Sequence, residues 1–204
     1  MKNYFSVIVI TVIMLSFFSV SHAEDDFVAN IQRETYSIAT EISNRTAMQD
    51  EVLGQATKEA KLGTLKNPED TERRIRVMER VVALSEEAVA IIKAAPALIA
   101  MSESFKNKST EEKERAIGVV KDSLSELKID ILVKKLQTDR SWALTQIKRF
   151  KLLKDNPSSW RYDESKGFID SSDENFIKRF NELTTEINRL QNRAIELTKK
   201  YLGK

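Results

Sequence analysis

The chain has 204 residues, no cysteine and one histidine. Without a thiol it can form no disulfide, no thiolate metal site and no cysteine nucleophile. Its histidine, His22, lies within the first 23 residues, which read as an export signal. Lys2 gives a short positive start, Phe5 to Val20 an apolar run, and Ser21 and Ala23 are the small residues three and one before a cut. The apolar run of about 16 residues falls short of the roughly 20 that span a bilayer. The acidic Glu24, Asp25 and Asp26 follow it where a stop-transfer segment would be basic. Cleavage after Ala23 is therefore preferred to a retained anchor, and no cysteine stands at the cut to be acylated.

The mature chain, expected to begin at Glu24, then has neither imidazole nor thiol, which closes the commonest acid-base, nucleophilic and metal-binding chemistries to it. Removing 23 of 204 residues leaves 181, enough for one domain with a core, residues 24–204. An exported chain without cysteine suits the bacterial periplasm or secretion better than a disulfide-stapled eukaryotic domain. The net charge of +2 gives no field of the kind nucleic-acid binders carry. Asn44-Arg45-Thr46 and Asn107-Lys108-Ser109 match the glycosylation acceptor pattern, too short a match to be read as modified sites.

Only five glycines and three prolines occur, and 31% of the residues are charged, which favours long helices. A first segment, about Asp26 to Leu62, spaces Phe27, Ile31, Ile38, Ile42, Val52 and Ala56 on a helical stripe, interrupted by Arg45, Thr46 and Gln49. Gly63 is a plausible stop. A second starts at Asn67-Pro68-Glu69-Asp70 and carries Ile75, Met78, Val82, Ser85, Val89, Ile92, Pro96 and Ile99. Pro96 is expected to kink or end it near Ala95. A third begins at the capping box Ser109-Thr110-Glu111-Glu112 with the stripe Ile117, Val120, Leu124, Leu127, Ile131. It continues over Leu132, Leu136, Ala143, Ile147 and Phe150, as one helix or as two with a break near Thr138 to Ser141.

The stretch from Asp155 to Ser171 is the least regular part of the mature chain, and Trp160, Tyr162 and Phe168 are read as pinning it to the body. Ser171-Ser172-Asp173-Glu174 reads as a second capping box. After it Phe176, Phe180, Leu183, Ile187, Leu190, Ala194, Leu197 and Tyr201 alternate strictly by three and four. The fold class expected is all-α: an elongated antiparallel bundle of about four long coiled-coil-like helices, preceded by a cleavable signal peptide.

Three short patterns touch on catalysis. Ser125-Glu126-Leu127-Lys128 matches the Ser-x-x-Lys of penicillin-recognising enzymes, but no Ser-Asp-Asn or Lys-Thr-Gly completes it. Glu103-Ser104 and Glu164-Ser165 resemble the Glu-Ser pair of lytic transglycosylases, a two-residue likeness for which a solvated carboxylate is the simpler reading. Catalytic residues, metal ligands and cofactors are therefore each expected to be none.

Two stretches look like contact surfaces. Lys134, Lys135, Arg140, Trp142, Lys148, Arg149, Lys151, Lys154, Trp160 and Arg161 interleave cations with rings, as an anionic surface would require. The simpler reading is a solvated face whose cations pair with Asp139, Asp155 or a neighbouring helix. Ala88 to Met101 is apolar nearly all round, with Val89, Ile91, Ile92, Pro96, Leu98, Ile99 and Met101 as contact candidates. Such a helix has to be buried in its fold, in an oligomer or in a membrane.

The function this predicts is an exported, non-enzymatic binding or assembly component of the bacterial cell envelope, such as a secretion or conjugation component, an immunity protein or a chaperone-like protein. Its partner is expected to be a protein or a second copy, with an anionic membrane surface as a further candidate and neither nucleic acid nor a small-molecule substrate. The alternatives are a membrane-active or pore-forming helical protein and a carboxylate-dependent envelope hydrolase.

Overall fold

A computed structural model describes residues 25–65, 68–163 and 168–203. The export signal, the Asn67 cap and the Glu164-Ser165 pair lie outside the described residues. The fold is an all-α helical bundle with five helices among the described residues: α1 (Asp25–Glu59), α2 (Pro68–Met101), α3 (Thr110–Glu126), α4 (Ile129–Asp155) and α5 (Glu174–Leu202). The third expected segment is two helices, and the break falls at Leu127 and Lys128, not at Thr138 to Ser141, which are inside α4. Lys128 has φ 53°, a left-handed conformation that ends a helix, and its carbonyl accepts from Ile131 N to start the next one.

Pro96 does not end α2, which continues to Met101. Ser109 caps α3 as expected, accepting from Glu112 N while the Glu112 carboxylate accepts from Ser109 N. The α5 cap differs from the expectation. Asp173 Oδ1 accepts from Asn175 N and Phe176 N, both at 3.0 Å, and Ser171 instead donates to Ser159 O. Between α4 and α5 lies a small antiparallel ribbon that the sequence pattern did not announce, β1 (Arg161–Asp163) and β2 (Phe168–Asp170). Ile169 is the ribbon residue buried in the core, Trp160 and Tyr162 pack beside it, and Phe168 is exposed.

The chain divides into two compact units. Unit 1 comprises the described residues up to 48 together with 87–133. Its core draws Ile31, Ala39 and Ile42 from α1, Ala88, Ile92, Ala95 and Ile99 from α2, Ala116 and Val120 from α3, and Phe105 from the connection before α3. Phe27 meets Phe105 edge-on at 5.7 Å. Unit 2 comprises 49–86 and 134–203. Its core joins Val52 and Ala56, Met78 and Val81, Ala143, Phe150 and Leu153, Ile169, and the α5 residues Phe176, Phe180, Ile187 and Leu190. The α5 stripe is thus the buried face its spacing predicted. In unit 2 the 3-10 turn Leu62–Thr64 follows α1, and a Cβ at Gly63 would lie 2.8 Å from Tyr162 Oη, so any larger residue there would have to displace the end of that ring.

Candidate functional site

The ten basic and aromatic candidates do not form one surface. Lys135, Trp142 and Arg149 are interior. Arg140 pairs with Glu86 at 2.6 Å, Lys154 with Glu72 at 2.6 Å and Arg161 with Asp170 at 2.8 Å. Trp160 is half-buried and donates from Nε1 to Leu153 O. Lys134, Lys148 and Lys151 remain exposed, and their spacing of fourteen and three places them on one side of α4.

The interior members belong to a pattern of their own. Lys135, Asp139, Trp142, Gln146 and Arg149 follow one another by four, three, four and three, the spacing of a buried helical seam, and all five are buried in unit 2. Lys135 Nζ donates to Asp139 Oδ2 at 2.9 Å and to Asp50 Oδ1 at 3.2 Å. Gln49, fully buried on α1, donates from Nε2 to Asp139 Oδ2 at 3.2 Å and towards Ser85 Oγ of α2 at 3.5 Å. The Gln49 that seemed to interrupt the α1 stripe is therefore part of the packing. Burial alone would lower the Lys135 pKa, but the Asp139 and Asp50 carboxylates together raise it above the usual lysine value. Asp139 is also raised, because burial outweighs the attraction of an ammonium it shares with Asp50. Trp142 Nε1, Gln146 Oε1 and Gln49 Oε1 have no hydrogen-bond partner among the described residues.

At the other end of this seam two arginines close the C-terminus of α1. Arg74 Nη1 donates to Glu59 O at 2.6 Å and Lys61 O at 2.8 Å, and Arg149 Nη2 donates to Ala60 O at 2.9 Å. These are carbonyls a helix end leaves open, and cations there complement the helix dipole. Both guanidinium groups also lie over the Phe150 ring, at 5.7 and 5.5 Å. Burial, reinforced by the neighbouring Arg74 charge, pushes Arg149 down to about 10. Both clusters are interior, and their chemistry is to fix α1, α2 and α4 against one another in unit 2.

The residues of the catalytic patterns are placed differently. Glu103 is exposed and ion-paired with Lys106, while Ser104 donates to Glu34 at 2.6 Å. Ser125 and Lys128 are exposed at the α3–α4 turn, where Lys128 N donates to Ser125 O. Among the described residues no three acidic or histidine side chains are grouped to hold a metal, and no helix is long and apolar enough to cross a membrane.

The apolar segment of α2 splits into two faces in unit 1. Ala88, Ile92, Ala95 and Ile99 are buried. Val89, Ile91 and Pro96 are half-buried, Leu98 is 40% exposed and Met101 is 75% exposed. Ile91, Ala94, Leu98 and Met101, spaced three, four and three, form a second apolar stripe that the unit's own core leaves partly uncovered. In the comparisons with known proteins, the chain matches no family model, no curated protein and no solved structure.

Proposed function

We propose that this chain is an exported, non-enzymatic helical-bundle protein that acts as a binding or assembly component of the bacterial cell envelope, in the manner of a secretion or conjugation component, an immunity protein or a chaperone-like protein. The observation that carries the reading is the uncovered apolar stripe at the end of α2, where Leu98 and Met101 face solvent beside half-buried Ile91. Exposed apolar side chains in a row at helical spacing suit a partner that supplies the missing half of a helix-packing surface. Export rests on Lys2, the apolar run to Val20 and the Ser21-His22-Ala23 cut. The same reading includes helices that pack antiparallel with coiled-coil-like spacing in an elongated body, as the strict α5 alternation suggests.

The test is a crosslinking pull-down of the tagged protein from intact envelopes, alongside the Leu98→Asp/Met101→Asp variant. A protein captured specifically by the wild type and lost with the variant is the expected result, with the mature N-terminus sequenced at Glu24. Equal capture by both forms would move the contact elsewhere. Recovery only with lipid would favour the membrane-active alternative, in which the exposed Lys134, Lys148 and Lys151 meet anionic headgroups.

A further inference from the structure

The outward face of the last part of α2, in unit 1, carries almost no charge. From residue 88 to residue 102 the only charged residue is Lys93, in a chain of which 31% is charged. On the side turned away from the unit's core, Ala90, Ala97, Leu98 and Met101 are exposed, with Ile91 and Ala94 half-buried beside them. From Ala90 to Met101 this face is about 18 Å long at 1.5 Å per residue. A row of exposed apolar side chains on that scale marks a contact. The order of its side chains and the charges at its two ends bear on what the contact is with.

The order is self-complementary. Ile91, Ala94, Leu98 and Met101 are spaced three, four and three, so in an antiparallel pair of such stripes the first residue of one meets the last of the other. Ile91 then faces Met101 and Ala94 faces Leu98, each twice by symmetry. A small side chain stands against a large one in both central layers, and the exposed Ala90 and Ala97 alongside let the two backbones approach closely. A parallel pair would instead set Ala94 against Ala94 and leave a gap in that layer. The charges point the same way. Glu87 stands at the start of the face and pairs with Arg45, yet its side chain is 49% exposed. Lys106 follows the end of the face and pairs with Glu103, and its side chain is also 49% exposed. Antiparallel pairing brings the Glu87 end of one copy to the Lys106 end of the other, twice, whereas parallel pairing would set Glu87 against Glu87.

From this juxtaposition we propose that the occupant of the α2 face is a second copy of this chain, docked antiparallel so that Leu98 of each copy packs on Ala94 of the other, with the two-fold axis level with Pro96. The inference rests on the reading of this stripe as a protein contact, and it names the partner. The contact is isologous, which closes the assembly at two copies. Rigid docking suffices, because every residue it uses is already at least partly at the surface. A single helix face of this length buries less than the roughly 800 Å² per partner of a stable complex, so the pair is weak and forms as concentration rises.

The experiment measures the mass of the whole mature protein by sedimentation from micromolar to millimolar concentration, for the wild type and for Leu98→Asp/Met101→Asp. The wild-type average mass should climb towards twice the monomer's, and the variant, with its helical circular dichroism intact, should stay at the monomer's. A second measurement does not depend on that variant. The chain has no cysteine, so a single introduced one reports on its own symmetry mate. Ala97→Cys, beside the axis, should crosslink to itself under mild oxidation at least about tenfold faster than Ala90→Cys, whose two copies lie about 18 Å apart along the helix. Equal crosslinking at the two positions would mean parallel pairing and overturn the proposal, as would crosslinking at neither or a mass rise that the variant keeps. A wild type that stays monomeric, while its capture of an envelope protein is lost with the variant, would overturn self-pairing and leave the partner reading standing. A monomer whose capture the variant does not change would remove both.

Discussion

At the scale of single residues, the most consequential feature is a charge taken out of water. Lys135 and Asp139 form a buried pair, and removing one partner of such a pair leaves the other uncompensated, which costs about 3–5 kcal/mol. Lys135→Met alone should destabilise unit 2 by that order, less whatever half-buried Asp50 and Gln49 recover by reorienting, as read from urea unfolding. The double variant Lys135→Met/Asp139→Leu should regain most of the loss, since a well-packed apolar pair of similar volume is often neutral or better. If the double variant is no more stable than the single, the pair is not coupled in the way its 2.9 Å contact implies. Lys128 offers a test of the opposite sign. A left-handed lysine costs about 1–2 kcal/mol that glycine avoids, while glycine adds unfolded-state entropy. Lys128→Gly should therefore raise stability by up to about 1 kcal/mol, and a loss in thermal melts would show that the lysine side chain holds the turn.

At the scale of elements, legibility in the sequence depended on what a helix buries. The α5 seam was readable because Phe176, Phe180, Ile187 and Leu190 are apolar on one face and charged on the other. The α4 seam is not, because Lys135, Asp139, Gln146 and Arg149 carry the spacing of a core with the chemistry of a surface, and nothing in their residue types sets them apart from a solvated face. Only the paired tertiary partners, Gln49, Asp50 and the carbonyls at the end of α1, reveal them as interior. In α3 the stripe holds at Val120 and Leu127, which are buried, while the small Ala116 and Ser123 take the inward places that the stronger hydrophobic contrast of Ile117 and Leu124 suggests for those two. The three-residue strands of the ribbon are shorter than any alternation that could announce them. The cap of α3 was legible and is testable. Ser109→Ala should lower stability by about 1 kcal/mol and speed hydrogen exchange at the Glu112 amide. Glu112 is held below the usual carboxylate range, first by the Ser109 backbone amide and then by the Ser109 hydroxyl. A depressed acid stabilises above its ordinary pKa, so protection at this amide should persist above about pH 4.5 and fade as the pH falls below it. Exchange at Glu112 that ignores this window would remove the capping box from the account of α3.

At the scale of the whole molecule, the buried cations make opposing demands on alkaline stability. Lys135 is raised above 10.5 and Tyr201 above 10.0, the latter by burial. In each case the folded chain keeps a proton that the unfolded chain has lost, so stability is complete below the ordinary value and declines as the pH rises through the shifted one. Arg149, pushed by burial down to about 10 from the ordinary arginine value, acts in reverse, because shedding its proton relieves a charge that burial penalises. The wild-type curve alone therefore mixes contributions of both signs. Comparison with Lys135→Met/Asp139→Leu separates them, since Tyr201 and Arg149 are unchanged in both proteins. The wild type should lose stability more steeply than the double variant as the pH climbs past about 10.5, measured by denaturant midpoints across matched buffers. Parallel curves would mean that Lys135 holds its proton no more tightly in the folded chain than in the unfolded one. The seam of α4 would then be fixed by Gln49 and the arginine closure of α1, with the ion pair contributing little.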